Sequence, residues 1–307
     1  MRIGIFIGSM DIPPSLEGQL QRVVDAEQQG FDSFWFPQVF GADVLTVIAL
    51  AGQRTERIEM GTAVVPTFPR HPVVLAQQAL TAQAATGGRL TLGIGLSHKS
   101  TIEDWLGLSY ARPTRHMREY LSVLRPLLNE EAVEFSGSEY RVHGALQVPD
   151  ASPCPVLVAA LGPQMLAIAG ALADGTVTWM AGRKTIETHI VPRINAAAAA
   201  AGRPKPRICV GAPIAVTDDE GAARRRAARL FQSYNELPSY RRMLDIEGVD
   251  GPGDVVIVGN EAQVERELRS LADAGATDLL ATILPAEDVT RSAARTRSLL
   301  RSLIGRL

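Results

Sequence analysis

Residues 58–96 read IEMGTAVVPTFPRHPVVLAQQALTAQAATGGRLTLGIGL, and this stretch decides the fold. It opens on a largely apolar run, Ile58–Val65, closed by Pro66. Strands of a parallel sheet read this way, because both of their faces are buried. His71-Pro72 then begins a helix, where proline lacks only an N–H that would find no intrahelical partner. The helix stops at Gly87-Gly88, and Arg89–Leu96 is again a short apolar run. Strand, helix and strand therefore follow one another without a break.

The same unit repeats on both sides. Ile3–Gly8 is strand one, and Ser15 caps a helix whose Leu16, Leu20, Val23 and Val24 share a face before Gly30 ends it. Ser33–Phe36 is strand two, followed by a helix over Asp43–Arg54. After strand four a helix covers Thr114–Leu128. Strands five to eight are Pro155–Ala160, Thr176–Met180, Arg207–Val216 and Asp278–Leu284. Their helices open at Gly162-Pro163, span Thr185–Ala201, and start from Asp218 and near Asp288. Asn260 and Gln263 have the spacing of a capping box for a helix ending at Gly275.

Two segments break the rhythm. Val133–Phe135 and Glu139–Val142 alternate around Ser136-Gly137-Ser138, which predicts a β-hairpin insertion after the fourth helix. Tyr234–Gly253 is an irregular insertion after the seventh, with a short helix at Ser239–Asp245. Eight strand–helix pairs without a Pro/Ser-rich linker predict an α/β fold, a single (β/α)₈ TIM barrel domain over 1–307. An open doubly wound sheet usually announces its first turn with a glycine-rich phosphate loop. Here strand one ends in Gly8-Ser9-Met10-Asp11 instead.

Composition bounds the function. The chain has 307 residues, 46% of them hydrophobic and 21% charged, enough to bury a large core. A net charge of −2 gives no basic surplus to neutralise phosphates, so no nucleic-acid partner is expected. Cys154 and Cys209 lack metal-ligand spacing and read as buried thiols. With no signal peptide and no apolar run of 18 residues, no membrane span and a cytoplasmic location are expected.

In a barrel the active site lies at the carboxyl ends of the strands. That rim holds Gly8-Ser9-Met10, Pro37-Gln38-Val39-Phe40, Val64-Val65-Pro66, Gly95-Leu96-Ser97-His98, Leu161-Gly162-Pro163, Trp179-Met180-Ala181-Gly182 and Leu284-Pro285, with Thr62 a further cofactor-binding candidate. It offers no carboxylate dyad and no Ser–His–Asp arrangement. The remaining histidines, His71, His116, His143 and His189, lack ligand spacing, so no metal site is predicted. Glycoside hydrolysis and metal-assisted hydrolysis are disfavoured. Glycines, apolar side chains and one histidine suit a flat aromatic cofactor that carries the chemistry itself. Gly93 and Gly95 could equally relieve crowding in the barrel, and Trp35 and Trp179 could belong to the core. Arg70, Lys99, Arg112, Arg115, Arg183 and Lys184 surround the rim; their default reading is a solvated face.

Several stretches resemble the luciferase-like superfamily of flavin and F420 enzymes. They are Gly30–Phe36, Ile58–Val64, Gly88–Gly95, Ala173-Asp174-Gly175, and Val258-Gly259-Asn260 leading into Val264, Leu268, Ala272 and Gly275. Gly93–Lys99 with Arg112-Pro113 and Arg115–Tyr120 resembles the F420-dependent branch of actinobacterial type. The resemblance implies an oxidoreductase whose cofactor is the deazaflavin F420, with FMN as the alternative. It implies a cis peptide at Ala63–Val64 behind the deazaflavin ring, and a cofactor phosphate against Ala159, Ala160, Leu161, Gly162 and Pro163. It also implies contacts from Trp179 and Met180, a small-molecule substrate, and a homodimer formed through the helices after strands two and three. Where many family dehydrogenases carry an acidic residue and a histidine, this chain has Gln38 and Val39. Where the glucose-6-phosphate dehydrogenases use a glutamate, it has His98. His98 is thus the first candidate for the substrate proton, and Gln38 for holding a carbonyl or ring edge. An FMN-dependent monooxygenase and a non-catalytic cofactor-binding barrel are the competing readings.

Overall fold

The computed structural model describes residues 1–8, 13, 15–284, 286 and 289–307. The first half of the chain runs β1 (Arg2–Phe6), α1 (Leu16–Gln28), β2 (Ser33–Phe36), α2 (Val44–Gly52), β3 (Glu59–Thr62), β4 (Val65–Pro66), α3 (Pro72–Ala85), β5 (Leu90–Gly95) and α4 (Pro113–Leu128). A hairpin of β6 (Val133–Ser136) and β7 (Arg141–Gly144) follows. Then come β8 (Val156–Ala159), α5 (Pro163–Leu172), β9 (Gly175–Trp179), α6 (Arg183–Thr185) and α7 (Val191–Ala200). The chain closes with β10 (Arg207–Val216), α8 (Glu220–Leu230), α9 (Pro238–Glu247), β11 (Ile257–Gly259), α10 (Glu261–Asp273), β12 (Asp278–Ile283) and α11 (Val289–Leu303).

The parallel sheet closes on itself. β1, β2, β3, β5, β8, β9, β10 and β12 each pair with the next, and β12 returns to β1 through Arg2 opposite Asp278 and Ile5 opposite Ala281. This is the closed (β/α)₈ barrel expected, with the hairpin and the α9 segment inserted where the sequence placed them. The caps follow local chemistry. Ser15 accepts from the Gly18 N–H, Asp43 from that of Thr46, and Asn260 and Gln263 form the capping box.

Three details differ. The run Ile58–Val65 is two strands, β3 and β4, with the cis Ala63–Val64 peptide between them. The helix expected from Thr185 starts at Arg183 and passes through a π-helical turn, Ile186–Ile190, before α7. β11, only three residues long, adds a parallel strand beside β10 that no periodicity announces. The predicted start of the last helix at Asp288 lies outside the described residues.

The barrel interior is layered. Its floor is ionic: Arg2, Glu59, Arg207 and Asp278 come from the first residues of β1, β3, β10 and β12. Thr91 donates to Glu59 at 2.8 Å. Above it Trp35, Leu157, Val177, Cys209 and Leu280 fill the middle, with Phe6, Ala63 and Val64 packed against them. Gly61 gives Trp35 its space, since a Cβ there would collide with the indole ring. Both cysteines are free and buried, and burial pushes both thiols up.

Candidate active site

The carboxyl ends of β3, β5 and β8 meet on one side of the mouth. Thr62 is fully buried and ties β3 to β5: its Oγ1 donates to the Gly93 carbonyl at 2.7 Å and accepts from the Gly93 N–H at 2.8 Å. A Cβ on Gly93 would collide with the Thr62 carbonyl, so that glycine answers crowding within the wall. A Cβ on Gly95 would lie 2.6 Å from Val64 Cγ2 and 3.2 Å from the Ala159 Cβ. Val64, Gly95 and Ala159 therefore form a continuous platform of small groups, with no polar side chain among them.

Beyond the platform the helix starts matter. Gly162 caps α5 with extended backbone, no side chain closes that N-terminus, and a Cβ on Gly162 would meet nothing within 4 Å. The first-turn N–H groups left free at such an end attract anions. The neighbouring start, α6, is filled from within. The Glu247 carboxylate accepts from the Lys184 N–H at 3.1 Å and from the Thr185 N–H and hydroxyl at 2.8 Å each. His189 Nε2 lies 2.8 Å from the Leu161 carbonyl and holds the loop before α5.

Next to the platform, from the end of β9, the mouth is aromatic. Trp179 makes edge contacts with Phe6 at 5.4 Å and Phe231 at 5.9 Å between ring centroids. Phe231 continues to Tyr234, Tyr234 to Tyr240, and Tyr240 to His98 at 6.2 Å. Trp179 Nε1 is buried without a partner of hydrogen-bond geometry among the described residues. Burial raises the Tyr234 phenol, and the Trp179 indole offsets part of that rise. Phe40 and Trp105 stand exposed at the outer edge, each 59% accessible.

His98 is half-buried, and desolvation lowers its pKa from 6.5. Ser97 and Met180, each just beyond a barrel strand, have φ of 60° and 53°. Non-glycine residues adopt that region at a cost of order 1 kcal/mol, and such residues cluster at functional sites.

The sequence-derived candidates divide accordingly. Thr62, Ala63, Val64, Gly95 and Ala159 come together, and Leu161, Gly162 and Pro163 adjoin them at the α5 start. Trp179 and His98 join the aromatic arc, the one directly and the other through Tyr240. Gln38 stands apart: its Oε1 accepts from the Val44 N–H at 3.0 Å and its amide donates to the Val39 carbonyl. Its polar atoms are used at the start of α2. Ser9 lies outside the described residues. Sequence reasoning missed Tyr234 and Tyr240, whose only signal was an aromatic pair inside an irregular insertion. It also set His116 aside for want of ligand spacing.

The basic rim is largely neutralised. Arg70 pairs with Asp43 at 2.7 Å, Lys99 with Glu103 at 3.6 Å, Arg112 with Glu139 at 3.7 Å and Arg183 with Glu187 at 2.6 Å. Arg115 and Lys184 have no ion pair among the described residues. No helix among them is long and apolar enough to cross a membrane, and no group of three or more His, Cys, Asp or Glu is placed to hold a metal.

Residues 1–294 match the family model of luciferase-like monooxygenases. A 5,10-methylenetetrahydromethanopterin reductase of Methanolobus tindarius is 30% identical over 227 residues, covering 73% of this chain and 69% of the relative. An F420-dependent secondary alcohol dehydrogenase, solved with an F420-acetone adduct, superposes with a TM-score of 0.79 at 20% identity over 97% of each chain. The FMN-bound oxygenating constituent of 3,6-diketocamphane monooxygenase from Pseudomonas putida superposes with a TM-score of 0.75 at 17% identity, covering 99% of this chain and 97% of its own. At these identities the two solved structures speak to the fold alone. The family match over nearly the whole chain, with the reductase relative, makes this chain an enzyme of the luciferase-like monooxygenase family.

Proposed function

We propose that this enzyme transfers a hydride between coenzyme F420 and an organic substrate. The observation that carries the proposal is the platform of Val64, Gly95 and Ala159 beside the uncapped start of α5. A surface without polar side chains next to the uncapped α5 start suits a planar ring that bears a phosphate. A relative of Intrasporangium calvum named an F420-dependent glucose-6-phosphate dehydrogenase, 34% identical over 194 residues and covering 57% of this chain, supports F420 over FMN.

Deazaflavin is a hydride carrier, so the bound cofactor would supply the redox chemistry. The chain's own task is to orient the substrate and move one proton. His98 suits that task, since desolvation keeps its imidazole neutral at pH 7 and ready to accept a proton from an alcohol. In the reducing direction it donates after charging. Gln38 contributes by fixing the α2 start at the rim, through Val44. The polyglutamate tail of F420 would meet Arg115 and Lys184, the two rim cations with no carboxylate in ion-pair contact among the described residues; Arg115 acts on Glu119 only at longer range. A homodimer through α2 and α3 is consistent with Leu50 and Val74, which are 41% and 48% exposed there.

Fluorescence titration with F420 and, separately, with FMN tests this reading. Tight binding of F420 alone supports it; tight binding of FMN alone would move the enzyme to the oxygen-using side of the family. The FMN-bound monooxygenase of like fold keeps that second reading in view, and oxygen consumption would identify it.

A further inference from the structure

His116 lies on α4 and is 5% exposed. Its ring stacks on Phe68, with centroids 4.0 Å apart and planes 7° from parallel. Nε2 is 2.8 Å from Thr67 Oγ1, and Nδ1 is 3.3 Å from the Tyr140 hydroxyl. Thr67 in turn holds the Gly95 carbonyl twice, through its backbone N–H at 2.9 Å and its hydroxyl at 3.3 Å.

These contacts set a direction. A neutral imidazole has one donor and one acceptor nitrogen. Burial holds His116 at about 4, so the ring is neutral near pH 7. All the side-chain contacts are hydrogen bonds at once in only one arrangement. Tyr140 O–H donates to Nδ1, Nε2–H donates to Thr67 Oγ1, and the Thr67 hydroxyl donates to the Gly95 carbonyl. Reversal would leave the last contact without a proton. The chain of bonds starts in the β6–β7 hairpin and ends on the platform.

We propose that His116 is a positioning residue for the cofactor face: through Thr67 it fixes the Val65–Thr67 segment on Gly95, and through Tyr140 it ties that geometry to the hairpin insertion. The inference rests on the reading of Val64, Gly95 and Ala159 as the cofactor platform. The hairpin is itself held from α4, where the Glu119 carboxylate accepts from the backbone N–H groups of Ser138, Glu139 and Tyr140. Other titratable or charged groups near the imidazole are Tyr110, which packs on Phe68, Tyr120, whose hydroxyl donates to the Arg70 carbonyl, and His71, edge-on to Tyr140. A mere space-filling ring would need neither nitrogen.

The test compares F420 dissociation constants of the full-length enzyme and its variants by fluorescence. His116→Phe keeps a ring on Phe68 and removes both hydrogen bonds; binding should weaken about tenfold. His116→Gln, which can donate to Thr67, should recover most of the loss, and Thr67→Val should reproduce it. A ¹⁵N spectrum of the parent should show the neutral Nε2–H tautomer for His116. Parent-like binding by both His116→Phe and Thr67→Val overturns the inference, as does the Nδ1–H tautomer. If His116→Phe does not fold, Thr67→Val decides alone. Should the parent bind FMN and not F420, the cofactor assignment falls, and the same variants judge the positioning role with FMN. Binding of neither cofactor by the parent overturns both.

Discussion

Arg207 Nη2 lies 2.6 Å from Asp278 Oδ1 at the floor of the barrel, joining the first residues of two adjacent strands. The same guanidinium reaches Glu59 at 3.0 Å, and Glu59 also holds Arg2 at 2.6 Å. Asp278 is 1% exposed. Burial pushes its carboxyl up, but the Arg207 hydrogen bond and charge outweigh burial and the net shift is downward. Removing Arg207 would leave the buried Asp278 charge to the longer Arg2 contact at 3.4 Å. Arg207→Met should therefore cost about 3–5 kcal/mol in urea unfolding. The Asp278 contribution is present above the ordinary carboxylate range and is lost as pH falls through its lowered value. Unfolding unchanged by Arg207→Met would show the floor to be energetically idle.

His98→Ala should lower turnover by on the order of 10²-fold or more while the cofactor dissociation constant stays at the parent value. Because desolvation places the His98 pKa below 6.5, the sign of the pH profile depends on direction. Substrate oxidation needs the neutral base, so its rate is flat at neutral pH and falls on acidification. Substrate reduction needs the charged acid, so its rate rises as pH drops through the same value. Steady-state rates in both directions check this, and full turnover by His98→Ala removes His98 from the mechanism.

Two glycines should differ in what substitution does to stability. Gly95→Ala places a Cβ 2.6 Å from Val64 and should destabilise by about 1–3 kcal/mol through overpacking, with weaker cofactor binding. Gly162→Ala adds a Cβ where nothing lies within 4 Å, in backbone that any residue adopts. Its melting temperature should stay at the parent value while F420 binding weakens. Parent-like F420 affinity in Gly162→Ala would remove the α5 start from the phosphate site.

Stability should carry an acid-side signature of His116. Its folded value is about 4 and its ordinary value 6.5. Between these values the unfolded chain binds a proton that the folded chain refuses. Stability is therefore full above 6.5 and falls as pH drops toward 4, by on the order of 2–3 kcal/mol for this group. His116→Phe should flatten that leg of the profile in denaturant titrations run across the range. An unaltered slope would mean that His116 is not held neutral.

F420 affinity should fall with rising salt only modestly, since four of the six basic rim residues already face carboxylates. The remaining slope should disappear in an Arg115→Ala, Lys184→Ala double variant. A steep slope that survives in it would assign the tail to other cations.

Much of this was legible in one dimension because it is local. The apolar runs, Ser15, Asp43, His71-Pro72, Asn260 with Gln263, and the Ser136-Gly137-Ser138 turn act over four or five residues, within reach of a reading along the chain. The residues of the mouth were legible only as strand ends. Gln38 shows the limit: its position qualified it for substrate, whereas its amide serves the backbone around α2. Tyr240 shows the converse, lying in an insertion without pattern yet packing against His98.

The sequence by itself determined the order of elements, the closed parallel barrel and the rim on which chemistry could stand, since periodicity and capping are properties of neighbours in the chain. Only the tertiary structure decided which rim residues meet: Val64 with Gly95 and Ala159, Glu247 with the α6 start, and His116 with Thr67 and Tyr140. Those partners are far apart in sequence, and barrel closure sets the distances between them. Nothing in the local pattern of either partner encodes that separation.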